Sequence, residues 1–384
     1  MDFQYSEELK ELKQRVRKFA EERLLPIAAE VDSRDETSWE VVKLLAEEGL
    51  FRHLMPKEYG GFGIKPIQLC IIREELARVC VQASDTFVMS ELGGYPIVRF
   101  GSEEQKKKYL PPLARGEKIA SYALTEPNAG SDIASIETTA ILKDGFYVMN
   151  GRKCFATNAG AAEVCTVYAK TDPSLGPKGI SAFIIDTKNK QPGLSCQAMK
   201  LMGPCAEYEL IFENFRVPEE NLLGERGRGM RIALTSLDLC RTTVGANSVG
   251  LAQVAYEEAV KYAQQRKAFG RPLIEFQATQ FKLADMVTNI QAARLLVYQA
   301  ASMTVLGEEE KIIGRASMAK LFATEMAQHV VDEALQIHGG IGLIRGSRME
   351  RLYRAVRLPR IYEGTSEIQR LTIARAISRG ELDE

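Results

Sequence analysis

The chain is 384 residues long, more than one compact core usually holds, so two or three subdomains are expected. Apolar residues at 45% and charged residues at 26% are ordinary globular values, and a net charge of −1 excludes a general attraction to nucleic acid or to acidic membranes. The seven cysteines, at 70, 80, 154, 165, 196, 205 and 240, are odd in number and lack C-x-x-C spacing, which argues against a disulfide scaffold and a zinc site and fits a reducing compartment.

The amino terminus, Met1 to Glu8, shows neither the basic-apolar pattern of a secretory signal nor an Arg-rich, acid-poor transit peptide. No run of about 20 apolar residues occurs, so no membrane span is expected. The reading is bacterial-type cytoplasmic, or mitochondrial matrix only if a leader has been removed. Residues 1–118 carry helical apolar spacing, as at Leu9, Leu12, Val16, Phe19 and Ala20, with loops marked by Glu58-Tyr59-Gly60-Gly61 and Gly93-Gly94. Residues 119–225 change to short runs such as Val164 to Tyr168 and Ile180 to Ile184, separated by an expected hairpin turn at Asn150-Gly151 and by the turn-rich Asp172 to Pro177. Helical spacing returns in residues 226–384, for example at Leu283, Met286, Ile290, Ala293 and Val297. The order helical, β, helical gives an α+β, mainly α fold and excludes a doubly wound parallel sheet. Gly339-Gly340-Ile341-Gly342 follows the helical stretch Val330 to Ile337 and alone reads as a helix terminator.

The most informative segment is Arg360 to Gln369, which sets one carboxylate, Glu363, on a turn just before a helix start near Ser366. Ser366 and Gln369 fit an S-x-x-Q capping box, and Ile368, Leu371 and Ala374 supply an apolar stripe beyond it. Gly364 gives the turn conformational freedom. By itself, without further context, Glu363 reads as a cap of the helix dipole. The histidines at 53, 329 and 338 have no metal-ligand spacing, and no G-x-S-x-G or Cys/His arrangement suggests a hydrolase.

Four segments in order resemble the acyl-CoA dehydrogenase family, and the resemblance covers essentially the whole chain. They are Tyr122 to Asp132, Gln265 to Gly270, Gln336 to Gly342 and Ile361 to Gln369. The resemblance implies an N-terminal helical domain, a middle β-barrel-like domain and a C-terminal four-helix-bundle-like domain. It implies FAD, an acyl-CoA substrate, a homotetramer and an electron-transfer flavoprotein as acceptor. Forming an α,β-double bond in a thioester requires a base for the α-proton and a hydride acceptor that no side chain supplies. By resemblance Glu363 is the base, raised in pKa when the bound acyl chain desolvates it.

The same resemblance implies that Tyr122, Leu124, Thr125, Gly130 and Ser131 line the flavin, with Ser131 also near CoA. Phe155, Ala156 and Thr157 match the family strand that packs on the flavin ring, where Trp is common and Phe155 departs from it. Arg266 and Phe269, with Gln277 nearby, match residues that hold the diphosphate and adenine; Gln336, Gly339 and Gly340 match a contribution across a subunit interface. Thr365 and Ser366 follow the base toward the flavin, with Gly364 beside the substrate. Asp238 and Arg241 match residues that recognise CoA or frame the substrate mouth, although their i,i+3 spacing also fits a plain helical ion pair. Glu91 stands where a helix lines the acyl pocket, against the plain reading as a surface charge. Inside the pocket, a second carboxylate suggests an acyl group with a ring or polar feature, so the expected substrates are short, branched or alicyclic. An acyl-CoA oxidase and a catalytically silent flavin-binding protein remain alternatives; a nitroalkane oxidase resembles a version with Asp at the base position.

Overall fold

The computed structural model describes residues 6–189 and 191–382. Met1 to Tyr5, part of the amino-terminal targeting reading, lie outside the described residues, as do the two extreme ends of the outer domains. The first helical layer comprises α1 (Glu7–Phe19), α2 (Leu25–Val31), α3 (Trp39–Glu47), α4 (Pro66–Ala77), α5 (Val81–Phe100) and α6 (Glu103–Ala114). Ser6 caps α1 by accepting from the Leu9 amide, and acidic residues at its start and basic ones at its end oppose the helix dipole. Leu12, Val16, Phe19 and Ala20 are buried, as their spacing predicts. Gly93 and Gly94, expected in a loop, instead lie inside α5. A Cβ on Gly93 would sit 2.3 Å from the Ser121 carbonyl oxygen, so this glycine serves close helix-to-strand packing and not a turn.

The middle layer is one sheet of eight strands: β1 (Ala120–Ala123), β2 (Thr139–Lys143), β3 (Phe146–Lys153), β4 (Val164–Lys170), β5 (Ile180–Ile185), β6 (Leu194–Met199), β7 (Glu207–Pro218) and β8 (Leu222–Leu223). Their order is β6-β7-β3-β2-β4-β5-β8, with β1 added in parallel to β4. One side encloses a separate apolar cluster that includes Tyr147, Met149, Phe183, Leu210 and Phe212. Tyr122, Val164, Tyr168 and Ile184 face the helices and join their core. The hairpin expected at Asn150-Gly151 is corrected: β2 and β3 turn at Asp144-Gly145, both at positive φ, which suits a tight hairpin. Asn150-Gly151 lies within β3 at a register shift against β7, and Asn150 Oδ1 accepts from the Asn214 amide there.

The last layer is a helical bundle of α7 (Gly229–Gln265), α8 (Gln277–Met303), α9 (Ile313–His338), α10 (Arg348–Ala355) and α11 (Ser366–Ser378). Leu283, Met286, Ile290, Ala293 and Val297 form the buried stripe of α8. Helix α9 ends at Gly339, whose φ of +61° is unfavourable for other residues. Two readings at α11 are corrected. Its N-cap is Thr365, whose Oγ1 accepts from the Ile368 amide, so Ser366 is already helical. Leu371 and Ala374 are exposed, and the buried positions are Ser366, Gln369 and Ala376: Ser366 bonds Glu325 of α9, Gln369 bonds the preceding turn, and Ala376 packs against Gly314 of α9.

Candidate active site

Glu363 and Gly364 both have positive φ, +53° and +88°. For a glutamate this is a strained conformation, costing on the order of 1–3 kcal/mol, and the surroundings must impose it. They do so through the carbonyls. Gln369 Nε2 donates to the Glu363 and Gly364 oxygens at 3.1 and 2.9 Å, and Lys320 Nζ, rising from the buried face of α9, donates to the Gly364 oxygen at 2.7 Å. Ser366 Oγ donates to Glu325 Oε1, and Glu325 Oε2 pairs with Arg360. The turn is thus fastened from below while the Glu363 side chain points into the protein. Its residue surface is only partly covered, yet Oε2 is sealed from solvent and has no hydrogen-bond partner.

Burial pushes the Glu363 carboxyl above its ordinary range, against the pull of Arg73, Lys320 and Arg241. Lys320 itself is lowered to about 8 by burial. Asp238 and Arg241 are buried and paired with each other on α7. That matches the helical ion pair, but its burial near Glu363 distinguishes it from a solvated surface pair. Glu91 is 2% exposed, which overturns its reading as a surface charge, and burial raises it to about 8.

The expected flavin-lining residues divide into two groups. Thr125 is joined to the segment after β3 by the Cys154 amide on its carbonyl at 2.9 Å, and Ser121 Oγ donates to the Thr157 carbonyl at 2.7 Å. Phe155 to Thr157 therefore border Leu124 and Thr125, although they form a loop with Phe155 at φ +54° and not a strand. Phe155 is 51% exposed, and around Gly130 no atom lies within 4 Å of the Cβ position. An open aromatic face beside an uncrowded stretch of backbone amides fits a flat heteroaromatic ring. Several predicted side chains are otherwise engaged: Tyr122 donates to the Ala233 carbonyl, Ala156 is wholly buried, and the Thr365 hydroxyl caps α11. Their contribution to a ligand would be backbone.

Arg266, Phe269, Gln277, Gln336, Gly339 and Gly340 make the second group, all exposed or partly so, with Phe269 97% exposed. His338 stacks on Tyr262 at 4.6 Å, which brings the ends of α9 and α7 together and makes His338 a packed helix-end residue. Helix α7 rises 1.5 Å per residue, so Arg266 lies roughly 37 Å along it from Arg241, and Gln336 roughly 24 Å along α9 from Lys320. Within one protomer the second group is remote from Glu363.

The comparisons agree with this architecture across the chain. The acyl-CoA dehydrogenase N-terminal, middle and C-terminal domain models match residues 6–117, 121–215 and 227–378. The chain belongs to the acyl-CoA dehydrogenase family. Members are oxidoreductases acting on CH–CH bonds. It is 46% identical over 376 residues to a 3-(aryl)acrylate reductase of Clostridium sporogenes, covering 96% of this chain and 98% of that protein. It is 42% identical over 375 residues to the CarC subunit of the caffeyl-CoA reductase–Etf complex of Acetobacterium woodii, covering 96% and 98%. An acyl-CoA dehydrogenase from Bacillus anthracis complexed with FAD superposes with a TM-score of 0.89 at 38% identity, covering 99% of this chain and 69% of that one. Among the described residues no helix is long and apolar enough to cross a membrane.

Three residues around Glu363, Arg73, Asp85 and Lys320, and the clamping role of Gln369 were missed by sequence reasoning. Lys320 carried a signal, since it shares the helical face of Ala316, Ala319, Ala323 and Ala327, where a solvated lysine has no place.

Proposed function

We propose that this protein is an FAD-dependent acyl-CoA dehydrogenase in which Glu363 exchanges the α-proton of an acyl thioester. The observation that carries this reading is the buried, unpartnered Oε2 of Glu363 on a turn held in a strained conformation, with its proton affinity raised by burial. FAD, when bound, supplies the hydride acceptor for the β-carbon. Thr125, Gly130, Ser131, Phe155 and Thr157 would border its ring, while Arg266, Phe269, Gln277, Gln336, Gly339 and Gly340 of a neighbouring copy would hold its remainder, which makes a homotetramer part of the proposal. The substrate is a short, branched or ring-bearing acyl-CoA, with Glu91 lining the acyl pocket and Asp238, Arg241, Gly364 and Ser131 along the route of the thioester.

The relatives above include two named as reductases, so we extend the reading to the reverse direction. Glu363 then returns the α-proton, since a general base in one direction is the general acid in the other. The named Etf complex supports an electron-transfer flavoprotein as partner. Glu363 argues against the nitroalkane oxidase, and the strained, clamped base argues against a silent binding protein. Anaerobic mixing with straight, branched, alicyclic and aromatic acyl-CoAs tests the reading: one or more bleaches the flavin, and bleaching by none removes it. Hydrogen peroxide formed with acyl-CoA and oxygen at the bleaching rate would establish the oxidase instead.

A further inference from the structure

Between α4, α5 and α7 lies a buried polar array that α-proton transfer does not use. Arg73, 1% exposed, donates from Nη1 to Thr243 Oγ1 at 3.2 Å and places Nη2 3.8 Å from Asp85 Oδ1. The same Thr243 Oγ1 lies 3.5 Å from Glu91 Oε2, and its proton is shared with the nearer Cys240 carbonyl at 3.0 Å. A guanidinium and a carboxyl are therefore gathered on one hydroxyl, deep in the helical core. Each keeps one atom sealed from solvent without a partner: Nε of Arg73 and Oε1 of Glu91. Such atoms are costly in protein interiors, and here a donor and an acceptor on neighbouring groups are both left for an occupant to satisfy.

The array adjoins the base. Arg73 is the charge that most opposes the raised pKa of Glu363, and Glu363 in turn acts on Glu91. The unfilled atoms define what the occupant must offer. Arg73 Nε only donates, so it needs an acceptor; Glu91 Oε1 needs a proton donor or, when Glu91 holds its own proton, a group tolerant of either role. A carboxylate would add a fourth acid to Asp85, Glu91 and Glu363 around one guanidinium. An ammonium would face Arg73, and a hydrocarbon would satisfy neither atom. A neutral hydroxyl accepts from Nε and offers its proton to Oε1.

We propose that the Arg73–Thr243–Glu91 array is the subsite that recognises a hydroxyl on the acyl part of the thioester. This rests on the dehydrogenase reading above and names the acyl class within it. A phenol and an alkanol share this chemistry, and matched pairs separate them.

The test is anaerobic flavin bleaching of the holoenzyme with five thioesters. They are 3-phenylpropionyl-CoA, its 4-hydroxy and 4-methoxy derivatives, hexanoyl-CoA and 6-hydroxyhexanoyl-CoA. The expected result is a preference of at least about tenfold in kcat/KM for the hydroxylated member of one pair, within the cost of leaving a buried polar group unsatisfied. In the aryl series the methoxy compound, which accepts but cannot donate, groups with the unsubstituted one. Glu91→Gln and Arg73→Met each bring the preference to near unity. Should either variant fail to fold, the ligand series on the unaltered protein decides alone. Equal rates within both pairs, with bleaching intact, overturn the subsite and leave the dehydrogenase reading standing. No bleaching by any thioester takes down both.

Discussion

Lys320 Nζ meets the carbonyl oxygen of Gly364 at 2.7 Å, one residue after the proposed base, from a buried helix face made mostly of small residues, Ala316, Ser317, Ala323 and Thr324 among them. A buried ammonium here fixes backbone rather than neutralising a surface acid. Lys320→Met keeps the side-chain volume and removes the donor, leaving Gln369 as the remaining clamp. We expect FAD content to persist, kcat to fall more than KM rises, and stability to drop by about 1–3 kcal/mol from the weakened carbonyl anchor. Steady-state kinetics beside a denaturant titration check both. Lys320→Arg, by restoring a donor at the cost of bulk, recovers part of kcat if positioning is the role.

Glu363→Gln is nearly isosteric and should leave flavin binding and assembly intact. Flavin reduction by acyl-CoA falls by roughly 10² to 10⁴, the usual contribution of a positioned general base. Exchange of the substrate α-proton falls in parallel, while the spectral shift on thioester binding persists. Stopped-flow reduction at the unaltered rate would remove Glu363 and leave Glu91 as the carboxyl to replace.

The buried acids set a pH dependence of stability. Burial raises Glu91 to about 8, and Asp85 and Glu207 each to about 7, above their unfolded values. Raised folded pKa values mean that the folded state holds more protons, so the stability they contribute is full below about pH 4 and is lost as pH rises through 7 to 8. Each group contributes at most about 1.4 kcal/mol per pH unit in that window. Thermal unfolding midpoints should decline from pH 5 to 8 relative to Glu91→Gln, whose profile is flatter. A profile for Glu91→Gln that matches the unaltered protein would show Glu91 ionised in the fold.

The glycines of α5 should respond unequally. A Cβ at Gly93 meets the Ser121 backbone at 2.3 Å, whereas at Gly94 it meets side-chain ends, Met55 Cε at 3.0 Å and Leu113 Cδ1 at 3.6 Å. Gly93→Ala is expected to destabilise by about 1–3 kcal/mol or more, and Gly94→Ala by less than about 1 kcal/mol, since helix propensity offsets a small rotation of Met55. Chemical denaturation of the two variants side by side decides it, and equal losses would refute the close packing of α5 on β1.

Arg266→Ala and Phe269→Ala alter exposed side chains and should leave the protomer fold unchanged. If a neighbouring copy supplies these groups, both variants lose FAD and the loss follows dilution of the assembly. Sedimentation with absorbance at the flavin band measures size and occupancy together. A monomer retaining full flavin would overturn the shared site.

Period and order carried the layers: the stripes of α1 and α8, the runs of β4 and β5 and the terminator at Gly339 all lie where the spacing placed them. Glycine misled at both Gly93-Gly94 and Asn150-Gly151, because the same residue permits a turn, a bulge and a close helix contact, and only the partner surface tells them apart. Glu363 stood out through its turn and the helix after it. Arg73 and Asp85 did not, since a charged residue in a helix defaults to solvent until tertiary packing encloses it, and packing involves residues more than a hundred positions away, such as Thr243.

Helix α7 runs without interruption for 37 residues, from Gly229 through the Asp238–Arg241 pair to Gln265, just before the exposed Arg266. Its residue count therefore acts as a gauge block. Inserting a single residue between Arg241 and Arg266 would advance the far end by about 1.5 Å and turn it by about 100°. Both anchors would then keep their chemistry and lose their mutual orientation. Surface loops of this chain can tolerate added length, but this span tolerates none, and the separation of Arg241 from Arg266 becomes a quantity written in the covalent chain.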